Sequence, residues 1–350
     1  MRVRQDVKFA LFGVLMMSLS DAAPTAPPKA TFTTFDVPGD TAGTWPTGIT
    51  PGGEITGYYC TAQLPATFPC HGFVRHPKGD ITTFDLPGDA FGTFPYAINP
   101  AGVITGFYAD ANFVYHGFLR TPDGTLSTFD GPSATATQPF GIDPRGFATG
   151  LWEDSNGNGH SFVRAPDGTF TSFDPPNETY NSSVINAAGA VTGNFSDNNG
   201  LEHSFLRTPD GAVTEFDAPS VCTTINGTFA TGIDSAGRIA GTYNDTGCVH
   251  FHAFLRARDG TFTTIDLHVP GATDISADAI NSEGAISGIY SLSGKLFGYL
   301  RSPSGVVTTY SVPGDNGFAD TAVNPAGVVT GFYEDPSSGE HAYVWTPEGK

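Results

Sequence analysis

Seven copies of one unit run through this 350-residue chain, and that repetition limits its possible folds more than any other feature. Three landmarks recur. The first is an alternating run ending in an aromatic residue and Asp: Thr31-Phe32-Thr33-Thr34-Phe35-Asp36, then Phe84-Asp85, Phe129-Asp130, Phe173-Asp174 and Phe216-Asp217, with Ile265-Asp266 and Tyr310-Ser311 as variants. The second is a Gly/Asn-rich element, clearest at Ala97–Tyr108 and echoed around Thr50, Asp143, Asn186, Asp234, Asn281 and Asn324. The third is a His-Gly-Phe-Leu-Arg run followed by a Pro-Asp-Gly turn, as in His116–Gly124, with copies beginning at His71, His160, His203, His252, Phe297 and His341.

Each unit therefore offers four short runs of strand-like alternation separated by Gly, Pro, Asn and Asp turn signals. Copies of the Asn99 position lie 43–49 residues apart. Four strands in a repeat of that length are the signature of a propeller blade. We name the strands a (ending near Asn99), b (around Gly106), c (around Phe118) and d (ending at Phe129). The chain opens on a lone strand d at Thr31–Asp36 and its last repeat stops after strand c, at Tyr343-Val344-Trp345. Six complete blades plus two complementary fragments make seven, so the expected fold is a seven-bladed all-β propeller. Its four-stranded antiparallel blades are closed by pairing the N-terminal d strand with the C-terminal strands a–c.

Spacings separate two faces. From strand a to strand b the offset is 7 in every unit (Asn99 to Gly106), and from c to d it is 11 in all six uninterrupted cases (Phe118 to Phe129). The b-to-c offset runs from 11 to 16 and the d-to-a offset from 13 to 18. The a–b and c–d turns share one face of an antiparallel blade and the other connections share the opposite face, so one face is uniform and the other variable. Variable loops on a rigid scaffold are the expected place for a ligand site.

Composition agrees with a turn-rich β domain: 44 Gly, 27 Pro, and only 15% charged residues. Residues 1–22 read as a signal peptide, with Arg2, Arg4 and Lys8 before the apolar run Phe9–Met17 and small residues Ser20 and Ala22 before cleavage. Residues 23–30 form a Pro-rich linker and 31–350 the propeller domain. Secreted or periplasmic localisation follows from that reading. In such a chain four cysteines favour disulfides over metal ligation. The nearest-neighbour pairs, Cys60–Cys70 and Cys222–Cys248, both fall on the variable face, beside its longest loops. Sequence alone permits three connectivities.

A net charge of −19 disfavours nucleic acid and anionic membranes as partners, and no later segment is apolar for long enough to span a bilayer. The six histidines at the start of strand c and the recurrent Asp of strand d repeat by blade, which spreads them around the ring and suits structural hydrogen bonding. Asp154-Ser155-Asn156-Gly157-Asn158-Gly159 matches the first half of a calcium loop, but Ala165 stands where the distal Glu would be. Asp154, Asn156 and Asn158 are thus candidate ligands for calcium, the sole cofactor with any support, beside the simpler reading of a polar hairpin. Asn177, Asn181, Asn194, Asn226 and Asn244 head N-x-[ST] sequons. None of the nucleotide-binding, zinc-protease or nucleophile-elbow motifs occurs, so no catalytic residue is nominated.

The repeat resembles the HAF-repeat family of predicted extracellular bacterial proteins: His252-Ala253-Phe254 reproduces the namesake triplet and His116–Gly124 a fuller unit. The resemblance covers essentially all of 31–350, departs at Phe297-Gly298-Tyr299-Leu300-Arg301 and at Tyr343-Val344-Trp345, and implies export and a bacterial source but no activity. The functional expectation is a non-catalytic binding or interaction module using the variable face, with an extracellular glycan or protein as ligand and Asp40, Trp45, Asp89 and Trp152 as candidate contacts. The alternatives are a propeller-type lyase or lactone hydrolase with a loop-built site, and a structural envelope component. The enzyme reading requires non-repeated His, Glu or Asp side chains converging at the channel mouth.

Overall fold

The computed structural model describes residues 29–61, 69–174, 182–197, 199–219, 221–223, 227–312 and 317–349. The signal-peptide region and the sequons at Asn177, Asn181 and Asn226 lie outside the described residues. Seven antiparallel sheets, each ordered a–b–c–d from the ring centre outward, form a seven-bladed β-propeller. Blade 2 shows the pattern: Gly92–Ile98, Ile104–Ala109, Tyr115–Arg120 and Leu126–Phe129. Five blades carry a register shift in strand a, as between Pro95 and Ala97, which turns one residue out of the ladder toward the central channel. In blade 6 strand a is two short pieces, Ala272–Thr273 and Ala279–Ile280, both paired to Ile286–Leu292.

Blade 7 closes the ring as the split repeat predicts. Thr31–Phe35 pairs antiparallel with Glu340–Thr346, Thr31 opposite Thr346 and Phe35 opposite Ala342. Period-2 alternation decides which side chains turn to the next blade. The strand-c aromatics Phe73, Phe118, Phe162, Phe205, Phe254, Tyr299 and Tyr343 are all essentially inaccessible to solvent. Each of the first four takes the edge of a strand-d Phe from the preceding blade: Phe35–Phe73, Phe84–Phe118, Phe129–Phe162 and Phe173–Phe205, at 5.9–6.4 Å. Arg75, Arg120, Arg164, Arg207 and Arg256, two residues further along strand c, lay their guanidinium groups 4.5–5.0 Å over those strand-d rings and over Phe216. This aromatic and cation–π step is the glue between blades.

The uniform face is uniform in hydrogen bonding as well as length. Every a–b turn repeats the pair seen at Asn99, whose N–H bonds Val103 O and whose carbonyl receives Gly102 N–H. The fourth turn residue is always a glycine at φ 79–91°, a region costly for a side chain. Both disulfides join the nearest-neighbour cysteines: Cys60 and Cys70 face each other across strands b and c, and Cys222–Cys248 ties the d–a loop to the next b–c turn.

Two predictions follow from this closure. Deleting the chain through Asp36 removes the Phe35 ring from between Phe73 and Arg75 and leaves blade 7 three-stranded, so the deletion should lower the calorimetric Tm by many degrees; an unchanged Tm would refute the closure. Reducing both disulfides should cost about 2–4 kcal/mol each by freeing loop-closure entropy in the unfolded chain, read as a shift in the urea midpoint. Cys222→Ser/Cys248→Ser should show the larger share, because 26 residues separate that pair against 10 for the other.

Candidate functional site

On the uniform face the channel opens into a pocket of about 230 Å³ ringed by the ends of strand a, including Ile49, Ile98, Ile142, Ile233 and Ile280. Its polar groups are spent on each other. The amides of Asn99, Asn186, Asn281 and Asn324 each donate to the carbonyl at the same position of the next blade: Asp143, Asp234, Asn324 and Thr50, at 2.7–3.3 Å. Where Asp replaces Asn an arginine compensates, Arg145 on Asp143 and Arg238 on Asp234, both at 2.6 Å. The opening is lined by blade-repeated, mutually satisfied residues, the opposite of a convergent catalytic set.

The variable face presents a different repeat. At the start of strand c each histidine stacks on the strand-b aromatic beside it: Tyr59–His71, Tyr108–His116, Trp152–His160, Phe195–His203, Tyr243–His252 and Tyr333–His341, at 4.5–5.4 Å. In five blades the ring Nδ1 meets the strand-d carboxylate: Asp85, Asp130, Asp174, Asp217 and Asp36, at 2.7–3.1 Å. Nε2 faces a second carboxylate from the b–c turn, Asp110, Asp154, Asp197, Asp245 or Asp335, at 3.4–3.9 Å. In blade 5 Asp266 instead accepts the His268 N–H, and His250, outside the register, pairs with Asp274. The blade-4 site adds Glu215, so His203, Glu215 and Asp217 place three ligand atoms within 4.8 Å of one another. The triplet is a surface cluster on the repeated pattern.

The b–c turns themselves are Asx turns. Asp154 accepts the backbone N–H groups and side-chain amides of Asn156 and Asn158, which hold its carboxyl far below the usual range. Asp110 and Asp197 do the same in their blades. The candidate calcium residues thus lie in a closed hairpin in which both Asp154 carboxylate oxygens already receive donors. Asp40 and Asp89 hold the d–a turns: Asp40 accepts from Ala42 N, Gly43 N and Thr44 Oγ1, and Asp89 from Gly92 N and Thr93 Oγ1. Trp45 stacks on Tyr58 at 5.2 Å, and Trp152, stacked on His160, donates to Ser172 Oγ. A pocket of about 200 Å³ between blades 7 and 1 gathers Asp36, Asp40, Glu340 and His341. Of the described sequon residues, Asn244 is buried and Asn194 accepts from Ser204 and Ala230.

Blade 2 breaks the pattern. The residue of its b–c turn equivalent to Gly157 and Gly200 is Phe113, at φ 62° and 65% exposed. A bulky side chain in that region is a steric outlier, so the turn gives up about 1–2 kcal/mol to carry it. Its ring stacks on Phe91 from the d–a loop, centroids 3.6 Å apart and planes 19° apart. Tyr115 lies two residues on, and Asp110, His116 and Asp130 form the adjoining polar cluster. Of the exposed large apolar residues, Phe113, Tyr115, Val249 and Phe251 sit at b–c connections, whereas Val306 alone among them sits in a c–d turn. Sequence reasoning missed Phe91 and Phe113; the visible signal was an aromatic residue where sister turns have glycine (Gly157, Gly200) or a small side chain (Cys248, Ser338).

No protein-family model matches the chain, and no curated protein matches it. Solved structures do. The chain is similar to a catalytically inactive variant of virginiamycin B lyase from Staphylococcus aureus, solved with quinupristin (15% identity, TM-score 0.58, covering 91% of this chain and 99% of that one). It is also similar to a prolyl endopeptidase (11% identity, TM-score 0.59, 90% and 48%) and to PorZ, a surface component of the type-IX secretion system of Porphyromonas gingivalis (13%, 0.51, 89% and 47%). At these identities the likeness is of fold alone, and the seven sheets make this chain a seven-bladed β-propeller. Among the described residues no helix is long and apolar enough to cross a membrane.

The His341 site straddles the ring closure, joining strand c of blade 7 to the N-terminal strand through Asp36. Burial lowers the His341 pKa, but the carboxylates of Asp36 and Asp335 outweigh it and the net shift is upward. A raised folded-state value means that the protonated ring stabilises the closure. That contribution is complete below the unfolded value of about 6.5 and is lost as pH rises through the higher folded value. Amide-exchange protection of Thr31–Phe35, corrected for intrinsic rates, should therefore fall as the pH rises above about 6.5. Asp36→Asn should flatten this dependence, and an equally steep fall in that variant would rule the pair out.

Proposed function

We propose that this protein is an exported, non-catalytic recognition module whose variable face binds carbohydrate, with blade 2 as its principal contact. The observation that carries this reading is Phe113. Sister turns place only glycine, Cys248 or Ser338 at this left-handed position, so a bulky exposed aromatic there is retained against stability, and strain of that kind concentrates at functional positions. The stacked Phe91–Phe113 pair offers a flat apolar surface to the C–H face of a sugar ring. Asp110, His116 and Asp130 beside it supply acceptors and a donor for the hydroxyl groups at its edge.

The histidine–carboxylate clusters of the other blades support a ligand with repeated units, since similar weak sites around one ring bind such a chain with avidity. Two disulfides support an oxidising compartment outside the cytosol. Against an enzyme weighs the channel opening on the uniform face, whose lining is repeated and internally satisfied. The test is titration of the purified protein on a glycan array followed by calorimetry with the best ligand. Phe113→Ala should weaken binding at least about tenfold, as for a central aromatic anchor. Phe113→Gly should weaken it equally while leaving Tm unchanged or raising it, because glycine relieves the left-handed strain. Full glycan affinity in both variants would exclude blade 2, and no saturable glycan binding at all would overturn the carbohydrate reading.

A further inference from the structure

Six departures from the repeat converge in one place, the interface of blades 6 and 7. Strand c carries Phe in blades 1–5 but Tyr299 and Tyr343 here, and Tyr310 stands where five of the other blades end strand d in Phe. Asp320 takes the position of Pro46, Pro95 and Pro139 on strand a. Asp278 takes the channel-side position of Thr47 and Thr231, and Ser287 the position of Thr56, Thr105 and Thr330.

The repeat itself fixes how these groups meet. The hydroxyls of Thr47 and Thr231 reach the carbonyl of the Asp320-equivalent in the next blade, Pro95 at 3.0 Å and Ala277 at 2.8 Å. The same register carries the Asp278 side chain to Asp320. The threonines at the Ser287 position donate to the strand-c carbonyl of their own blade at 2.7–3.0 Å. Ser287, fully buried, makes no such bond and turns its hydroxyl toward Asp320. Tyr310 donates to Asp320 Oδ1 at 2.6 Å and Tyr343 donates to the same atom, while Tyr299 donates to Ser276 O.

Three oxygens are then left over: Asp278 Oδ2, Asp320 Oδ2 and Ser287 Oγ are shut off from solvent with no hydrogen-bond partner among the described residues. Asp320 is 4% exposed, and no basic side chain among the described residues pairs with either carboxylate. Buried polar groups are almost always satisfied, and two unpaired carboxylates in such a place call for a countercharge. A proton shared between Asp278 and Asp320 is the competing way to neutralise the pair, and it would leave the protein indifferent to divalent ions. Asp320 is also too enclosed to touch a substrate.

We propose that the interface of blades 6 and 7 binds one hard divalent cation, with calcium the best fit, through Asp278 Oδ2, Asp320 Oδ2 and Ser287 Oγ. Oxygen-only donors select such an ion, and two carboxylates neutralise it. Asp278 directly precedes Ala279–Ile280 of the innermost strand, and although its Oδ2 is enclosed the residue as a whole is partly exposed, which gives access from the channel and room for water ligands. The ion pins the last two blades together next to the ring closure.

The test uses the EDTA-stripped protein and terbium(III), whose emission nearby tyrosines sensitise. Tyrosine-sensitised emission should saturate at one ion per chain, be displaced by calcium, and accompany a rise in Tm when calcium is restored. Asp320→Asn, which keeps an acceptor for the two phenols, and Ser287→Ala should each weaken binding about tenfold or more. Asp154→Asn and Glu215→Gln, at the blade-3 turn and the blade-4 surface cluster, should leave it unchanged. If Asp320→Asn does not fold, Ser287→Ala and Asp278→Asn decide alone. Wild-type affinity in those variants, loss of emission in Asp154→Asn or Glu215→Gln instead, or no calcium effect on Tm would each overturn the site and leave ordered water between the oxygens.

Discussion

The ladder between Thr31–Phe35 and Glu340–Thr346 is the constraint on which the rest of this propeller depends. A ring of blades has no sheet edge to protect only if its first and last pieces share a blade. Without that ladder Phe35 has no strand to present it, and the Phe73 ring and the Arg75 guanidinium lose the partner that their counterparts find in other blades. The closure therefore completes a cycle of related contacts. Five blades supply a strand-d Phe to the next and receive an arginine over it, while blade 5 supplies Ile265 and Tyr310 of blade 6 is stacked under Trp345.

That cycle explains why the two faces evolved differently. The a–b and c–d turns end the strands that carry the inter-blade contacts, so their length and hydrogen bonds are fixed, down to the left-handed glycine and the asparagine ring around the channel. The connections on the opposite face bear no such duty. They can lengthen, take a disulfide, or hold a phenylalanine in a glycine's conformation, and blade 2 does the last. Stability is concentrated on one side of the ring and freedom on the other, which is the division of labour a recognition scaffold needs.

Repetition also gives a way to find what is not structural. Residues that obey the repeat, such as the asparagines around the channel, are accounted for by contacts recurring from blade to blade. Residues that break it need a separate explanation. Phe113 breaks it at the surface, where strain is traded for an exposed ring. Asp278, Ser287 and Asp320 break it in the interior, accompanied by three tyrosines, where the cost is two buried carboxyl groups that burial pushes up, Asp278 to about 7 and Asp320 well above its ordinary value.

The sequence by itself determined the blade count, the strand order, the split closure and the two faces, and left three cysteine pairings open. What it determined follows from period, spacing and turn chemistry, which are local properties of the chain. It also showed where the repeat is broken: the absent histidine at Phe297 and the change from Phe to Tyr at 299 and 343 are plain in the letters. Only the tertiary structure decided which breaks belong together. Phe91 and Phe113 lie in different loops, and Asp278, Ser287, Asp320 and Tyr343 lie on different strands of two blades. Their meeting depends on inter-blade register, a consequence of the whole ring packing at once that no window of sequence contains.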